Sequence, residues 1–174
     1  KSDICGDFLD NDMQWSAPPI TSLAELEQAS WALEQDDTPQ MRKWLQILLA
    51  PGSSLGGARP KANVRNTDGR LWIAKFPSRN DKANIGAWEA LTMELAQRCG
   101  IRVAPFSVKY MNNKHAIFLT QRFDRDEQGR RVHFTSAMTM LGYNDGASQG
   151  ASSLGLAAWL SRYCCPGAAD LLEL

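Results

Sequence analysis

The sequence predicts an α+β fold with a mainly antiparallel sheet and packed helices. Three observations carry that reading. Helical and strand-like stretches follow one another in the order helices, hairpin, helix, hairpin, connector, helices. Each pair of strand-like runs is joined by compact turn chemistry, Asn66-Thr67-Asp68-Gly69 in the first and Asn112-Asn113 in the second. No internal repeat interrupts this order.

Residues 1 to 20 read as an irregular, acidic lead-in with Trp15 and Pro18-Pro19. Ser22-Leu23-Ala24-Glu25 has the spacing of a capping box, and Leu23, Leu26, Ala29, Trp31 and Leu33 recur at helical spacing. A helix is therefore expected from about Ser22 to Gln35. Thr38 and Pro39 restart a second one, with Met41, Trp44, Leu45, Leu48 and Leu49 on its apolar face, ending at Ala50-Pro51-Gly52. A loop of small residues, Gly52 to Ala58, runs into Arg59-Pro60-Lys61. The first hairpin pairs Ala62–Arg65 with Leu71–Phe76, and Pro77 stops it. Arg79-Asn80-Asp81-Lys82 reads as a polar loop.

A helix starts near Asn84 or Gly86, with Trp88, Leu91, Met93, Leu95 and Ala96 as its apolar positions and Gly100 as its left-handed exit. Strands follow over Pro105–Tyr110 and His115–Gln121. Gly129 marks a turn, Val132-His133-Phe134 a short strand, and Ser136–Leu141 a helical turn. Residues 142 to 153 are a Gly/Ser/Asn-rich loop, and Leu154–Tyr163 a helix broken by Pro166-Gly167. Asp170 stands where it could cap another helix. The organisation expected is one lobe over 1–120, with a helical pair over 22–50, and a connector plus the start of a helical lobe over 121–174.

Composition excludes several function classes. The 174 residues are 44% hydrophobic, enough for a sizeable core. Nineteen basic residues balance nineteen acidic ones, so bulk charge draws neither nucleic acid nor an anionic membrane. No apolar run approaches the roughly 20 residues of a membrane span, and the first residues lack a signal-peptide core. Cys5, Cys99, Cys164 and Cys165 match no zinc spacing, and His115 and His133 have no second ligand nearby, so no metal site is assigned. Reduced thiols place the protein in the cytoplasm.

The chemistry concentrates between Pro51 and Ser78. Glycines without Cβ atoms let backbone N–H groups approach phosphate oxygens, and a lysine on a packed strand supplies a fixed positive charge. Lys75 is that lysine, in the otherwise apolar run Leu71–Phe76. The same residues also read more plainly, as a turn before a hairpin with Lys75 alternating outward to solvent. Lys61 is followed by Ala62, so the loop does not fit the Gly-Lys-Ser/Thr pattern of P-loop nucleotidases.

The order of glycine loop, strand lysine, helix glutamate, two further strands and a hinge resembles a protein-kinase amino-terminal lobe. More specifically, the chain resembles the HipA-type bacterial serine/threonine kinases, toxins of type II toxin–antitoxin pairs. The resemblance rests on Gly52–Lys61, Trp72–Ser78, Trp88-Glu89-Ala90, Leu95-Ala96, Gly100-Ile101, Gln121–Arg125, His133-Phe134, Ser136-Ala137-Met138 and Leu141-Gly142.

It implies ATP as the nucleotide, with Gly56, Gly57, Ala58, Arg59, Pro60 and Lys61 lining its phosphates. Lys75 would touch those phosphates and Glu89 would orient it, while Gln121, Arg122 and Phe123 would lie beside adenine. Ser54 stands at a position of autophosphorylation, where a phosphate would oppose nucleotide binding. The implied partners are a protein substrate and a small DNA-binding, HipB-like antitoxin, with no direct contact to nucleic acid. The resemblance covers an amino-terminal portion, because the loop that supplies the catalytic aspartate and the Mg2+ ligands in this family is not found before Leu174. The expectation for this piece alone is weak ATP binding and no phosphoryl transfer. The alternative is a truncated, non-catalytic module that binds nucleotide or a partner.

Overall fold

The computed structural model describes residues 17–34, 59–144, 146 and 150–163. The helix expected over 38–50, the loop 52–58 with Ser54, Gly56, Gly57 and Ala58, the first sixteen residues and Asp170 lie outside the described residues.

A single 3-10 turn, Ile20–Ser22, leads into helix α1, Leu23–Leu33. The expected capping box does not form. Ser22 already has near-helical dihedrals and its side chain makes no capping bond, because the preceding turn has taken over the role of starting the helix. Strands β1, Lys61–Arg65, and β2, Leu71–Lys75, make the first hairpin. Gly69 closes its turn at φ +82°, a conformation that a Cβ would strain, with its N–H donating to Asn66 O at 2.9 Å.

Helix α2 spans Ile85–Arg98, and strands β3, Phe106–Lys109, and β4, Ile117–Gln121, complete the sheet. Its order is β1-β2-β4-β3, antiparallel at every junction. A one-turn helix α3, Ala137–Met140, and helix α4, Ser153–Tyr163, follow. No helix among the described residues is long and apolar enough to cross a membrane.

The register divides the sheet into two faces. Ala62, Ala74 and Leu119 stand side by side on one face, with Val64, Phe76 and Ile117. Leu23, Leu26 and Ala29 of α1 close this face into the core, and Trp72 packs at its margin. Alternation sends Lys61, Lys75 and Phe118 to the other face, which α2 covers along β3 and β4.

Two further sequence expectations are corrected. Residues 132–134 form no strand; the chain makes only a bridge between Arg125 and Arg131 around the Asp126–Gly129 turn. So short a ladder finds no third strand to support it. The apolar positions Trp88, Leu91 and Leu95 of α2 stand exposed rather than buried, because the helix meets the sheet through its Gly86 and Glu89 side instead.

Candidate functional site

The site grows from β2. Ala74 and Phe76 are fully buried toward α1, so Lys75 must point to the opposite face. That face is not open solvent. The Lys75 ammonium lies 5.5 Å from the Phe118 ring centroid and donates a hydrogen bond to Glu89 Oε1. The aromatic face and the carboxylate together hold the cation in place.

The position of Glu89 is set by the start of α2. Asn84 caps the helix by accepting from Ala87 N at 3.2 Å, and the same Oδ1 accepts from Ala116 N at 2.9 Å. One side chain therefore starts the helix and ties it to the entry of β4. Gly86 lies so close to β4 that a Cβ there would sit 2.2 Å from Ala116 O. Glu89 follows three residues later on the same side of the helix and so reaches Lys75.

Lys61 is the direct cross-strand neighbour of Lys75. Burial, and then the Lys75 charge, push its amine below the ordinary lysine value. Lys61 and Lys75 thus place two ammonium-bearing side chains on one face of the hairpin, and Glu89 pairs with Lys75. Two residues along β1 on the same face, buried Asn63 accepts from Arg122 Nη1 at 2.8 Å. Polar groups thus run along the whole strand on this face, from Lys75 and Lys61 to Asn63 and Arg122.

The segment entering β1 is anchored. Arg59 donates twice to Asp81, at 2.7 and 2.5 Å, and once to Phe76 O at 3.3 Å. Burial alone would raise the Asp81 carboxyl. The Arg59 bonds and charge and the Ser78 N–H outweigh it and hold the group below the usual carboxylate range.

At the far end of β4, the backbone N–H groups of Gln121 and Arg122 donate to Pro105 O and Leu71 O, at 2.8 and 2.9 Å. The Arg122 guanidinium grips Asp124 at 2.7 and 2.6 Å, and Arg125 joins the same carboxylate at 2.7 Å. The Asp124 carboxyl is held below its ordinary value, chiefly by the Arg122 hydrogen bonds and against burial. Phe123 is exposed, with Phe134 edge-on at 4.9 Å between centroids.

The fold therefore brings together Lys75, Glu89 and Lys61, with Arg59 and Pro60 at their border. Gln121, Arg122 and Phe123 form a separate group at the end of β4. Gly56, Gly57, Ala58 and Ser54 lie outside the described residues. Sequence reasoning missed Asp81, Asn63 and Phe118. For Asp81 the signal was its place three residues after Ser78, the spacing at which a carboxylate turns back onto a backbone N–H. For Asn63 it was a polar residue between two apolar ones in a strand.

A family model described as HipA-like C-terminal domain matches residues 53–174. The matched unit is a C-terminal domain, which corrects the placement of this stretch as an amino-terminal portion. Motif order does not say where a stretch sits in a longer chain. No curated protein and no solved structure matches this chain.

Proposed function

The chain belongs to the HipA-like C-terminal domain family, and from that membership we propose that it carries the ATP-binding lobe of a protein serine/threonine kinase. The observation that carries this reading is the Lys75–Glu89 ion pair, set beside Lys61 where the glycine-rich segment enters β1. Lys75 contacts the phosphates as a fixed charge. Glu89 keeps its ammonium aimed across the sheet face rather than into water. Lys61 adds a second positive group on the same side, and a polyanion between the two lysines offsets their mutual repulsion. Phe123 and the Gln121–Arg122 backbone take the purine end. Gln121 lies about 10 Å along β4 from Phe118 at a strand's rise per residue, with Arg122 and Phe123 beyond it, which separates base from phosphates.

When bound, Mg-ATP supplies the transferable phosphoryl group. The lysine pair fits its phosphates. Among the described residues no cluster of three acidic, histidine or cysteine side chains could hold a metal ion, so no step is assigned to Mg2+. The acceptor in this proposal is a protein hydroxyl. Ser54 is a site of self-modification, a HipB-like DNA-binding antitoxin is the partner, and the cytoplasm is the location.

The test is incubation of the full-length protein with labelled ATP, followed by mapping of the phosphate. Lys75→Met should lower transfer on the order of a hundredfold, and label should appear at Ser54. An unchanged rate in Lys75→Met removes this lysine from the mechanism. Saturable ATP binding without transfer by the full-length protein favours the non-catalytic reading instead.

A further inference from the structure

We propose that Asp81 is a positioning residue for the nucleotide: through Arg59 it fixes the entry of β1, and with it the reach of Lys61 toward the phosphates. The proposal rests on the nucleotide-binding reading above and extends it to a residue outside the glycine loop, the lysines and the hinge.

Asp81 is itself held still. Its carboxylate accepts from Ser78 N at 2.8 Å, and its own N–H donates to Ser78 O at 3.2 Å, so the loop after β2 folds back on itself. The two bonds to Arg59 then span 22 residues of sequence. This fork-to-carboxylate geometry fixes orientation as well as distance. Both side chains are largely shielded, at 28% and 10% exposure, so water weakens the pair less than it would an open surface pair.

The clamp acts on the residues next to Lys61. Phe76 N donates to Pro60 O at 2.9 Å, which carries the β1–β2 ladder one step past the Lys61–Lys75 pair. Arg59 is thereby tied on its side-chain side by Asp81 and Phe76 O, while Pro60 is tied on its backbone side by Phe76 N. Lys61 comes directly after these two anchors. Asp81 also neutralises Arg59, two residues before Lys61 in the chain. Released from Asp81, the Arg59 side chain is free to swing, the strand entry is left with the Pro60–Phe76 backbone bond alone, and the Lys61 side chain is held less firmly in its reach toward the phosphates.

The experiment uses the full-length protein with Asp81→Asn, which keeps the shape but removes the charge. The KM for ATP should rise about tenfold, the loss of one charge-assisted interaction, while kcat changes less than about twofold. In a Lys61→Ala background the same Asp81→Asn change should add almost nothing, because its effect passes through Lys61. The exchange Arg59→Asp with Asp81→Arg should recover part of the affinity. ATP affinity within about twofold of the parent in folded Asp81→Asn, or full additivity with Lys61→Ala, overturns the proposal. Should the parent protein itself not bind ATP, the nucleotide reading fails. The clamp is then read from the acetylation rate of the Lys61 amine by mass spectrometry. A changed rate in Asp81→Asn upholds it, and an unchanged rate overturns it.

Discussion

Lys75 and Glu89 stand fourteen residues apart in the chain, and their meeting is the contact on which the functional reading turns. The sequence reading named both residues but left two outcomes open for Lys75, phosphate contact or an outward solvent position. Strand alternation did send it away from the core, as the plainer reading required. Alternation cannot say what covers the second face, and here that is α2 with its glutamate. Arg59 is the reverse case. It stood in the motif as a phosphate contact, yet its guanidinium is engaged with Asp81, a residue that read as loop. At this scale the roles of the ion pair can be separated. Glu89→Gln should lower phosphoryl transfer by the full-length protein about tenfold, less than Lys75→Met, because the cation remains and only its orientation is lost. Steady-state kinetics at saturating ATP would measure it. Equal losses in the two variants would mean that Glu89 does more than orient Lys75.

Helix α2 is the element that builds the site, and its placement depends on a residue without a side chain. Gly86 was legible only as one of two starting points for a helix. Nothing in its neighbours shows that Ala116 O lies where its Cβ would be. Gly86→Ala should lift the first turn of α2 from β4 and cost about 1–3 kcal/mol of stability, read as a lower denaturation midpoint. It should also weaken ATP binding, since Glu89 moves with the helix. A variant with parental stability and affinity would show that the helix has room to shift. The same placement explains why helical periodicity misjudged Trp88, Leu91 and Leu95. Periodicity identifies an apolar stripe but not the partner it meets, and among the described residues the sheet takes the neighbouring side of the helix.

Across the whole molecule, buried polar groups bind the sheet to the connector, and Asp124 among them contributes to its response to acid. Asp124, buried and gripped by Arg122 and Arg125, has a native pKa below its ordinary value of 3.8. Its stabilising contribution is therefore complete above that value and is lost as pH falls through the lower native pKa. Denaturant midpoints followed from about pH 5 to about pH 2 should fall steeply in the parent protein. They should fall less steeply in Asp124→Asn, which starts from a lower stability. Parallel curves would assign the acid sensitivity to other carboxylates. The sequence by itself determined the α+β class, the two hairpins with their glycine and asparagine turns, the α2 segment and the residue types of the lysine–glutamate pair. These rest on local periodicity, turn chemistry and motif order, all carried by near neighbours in the chain. Only the tertiary structure decided which face Lys75 shares with Glu89, that Asp81 holds Arg59, and that Arg122 is buried against Asn63 and Asp124. Each of these contacts depends on register and on how closely a helix can approach a strand, quantities that arise only once distant segments are packed together.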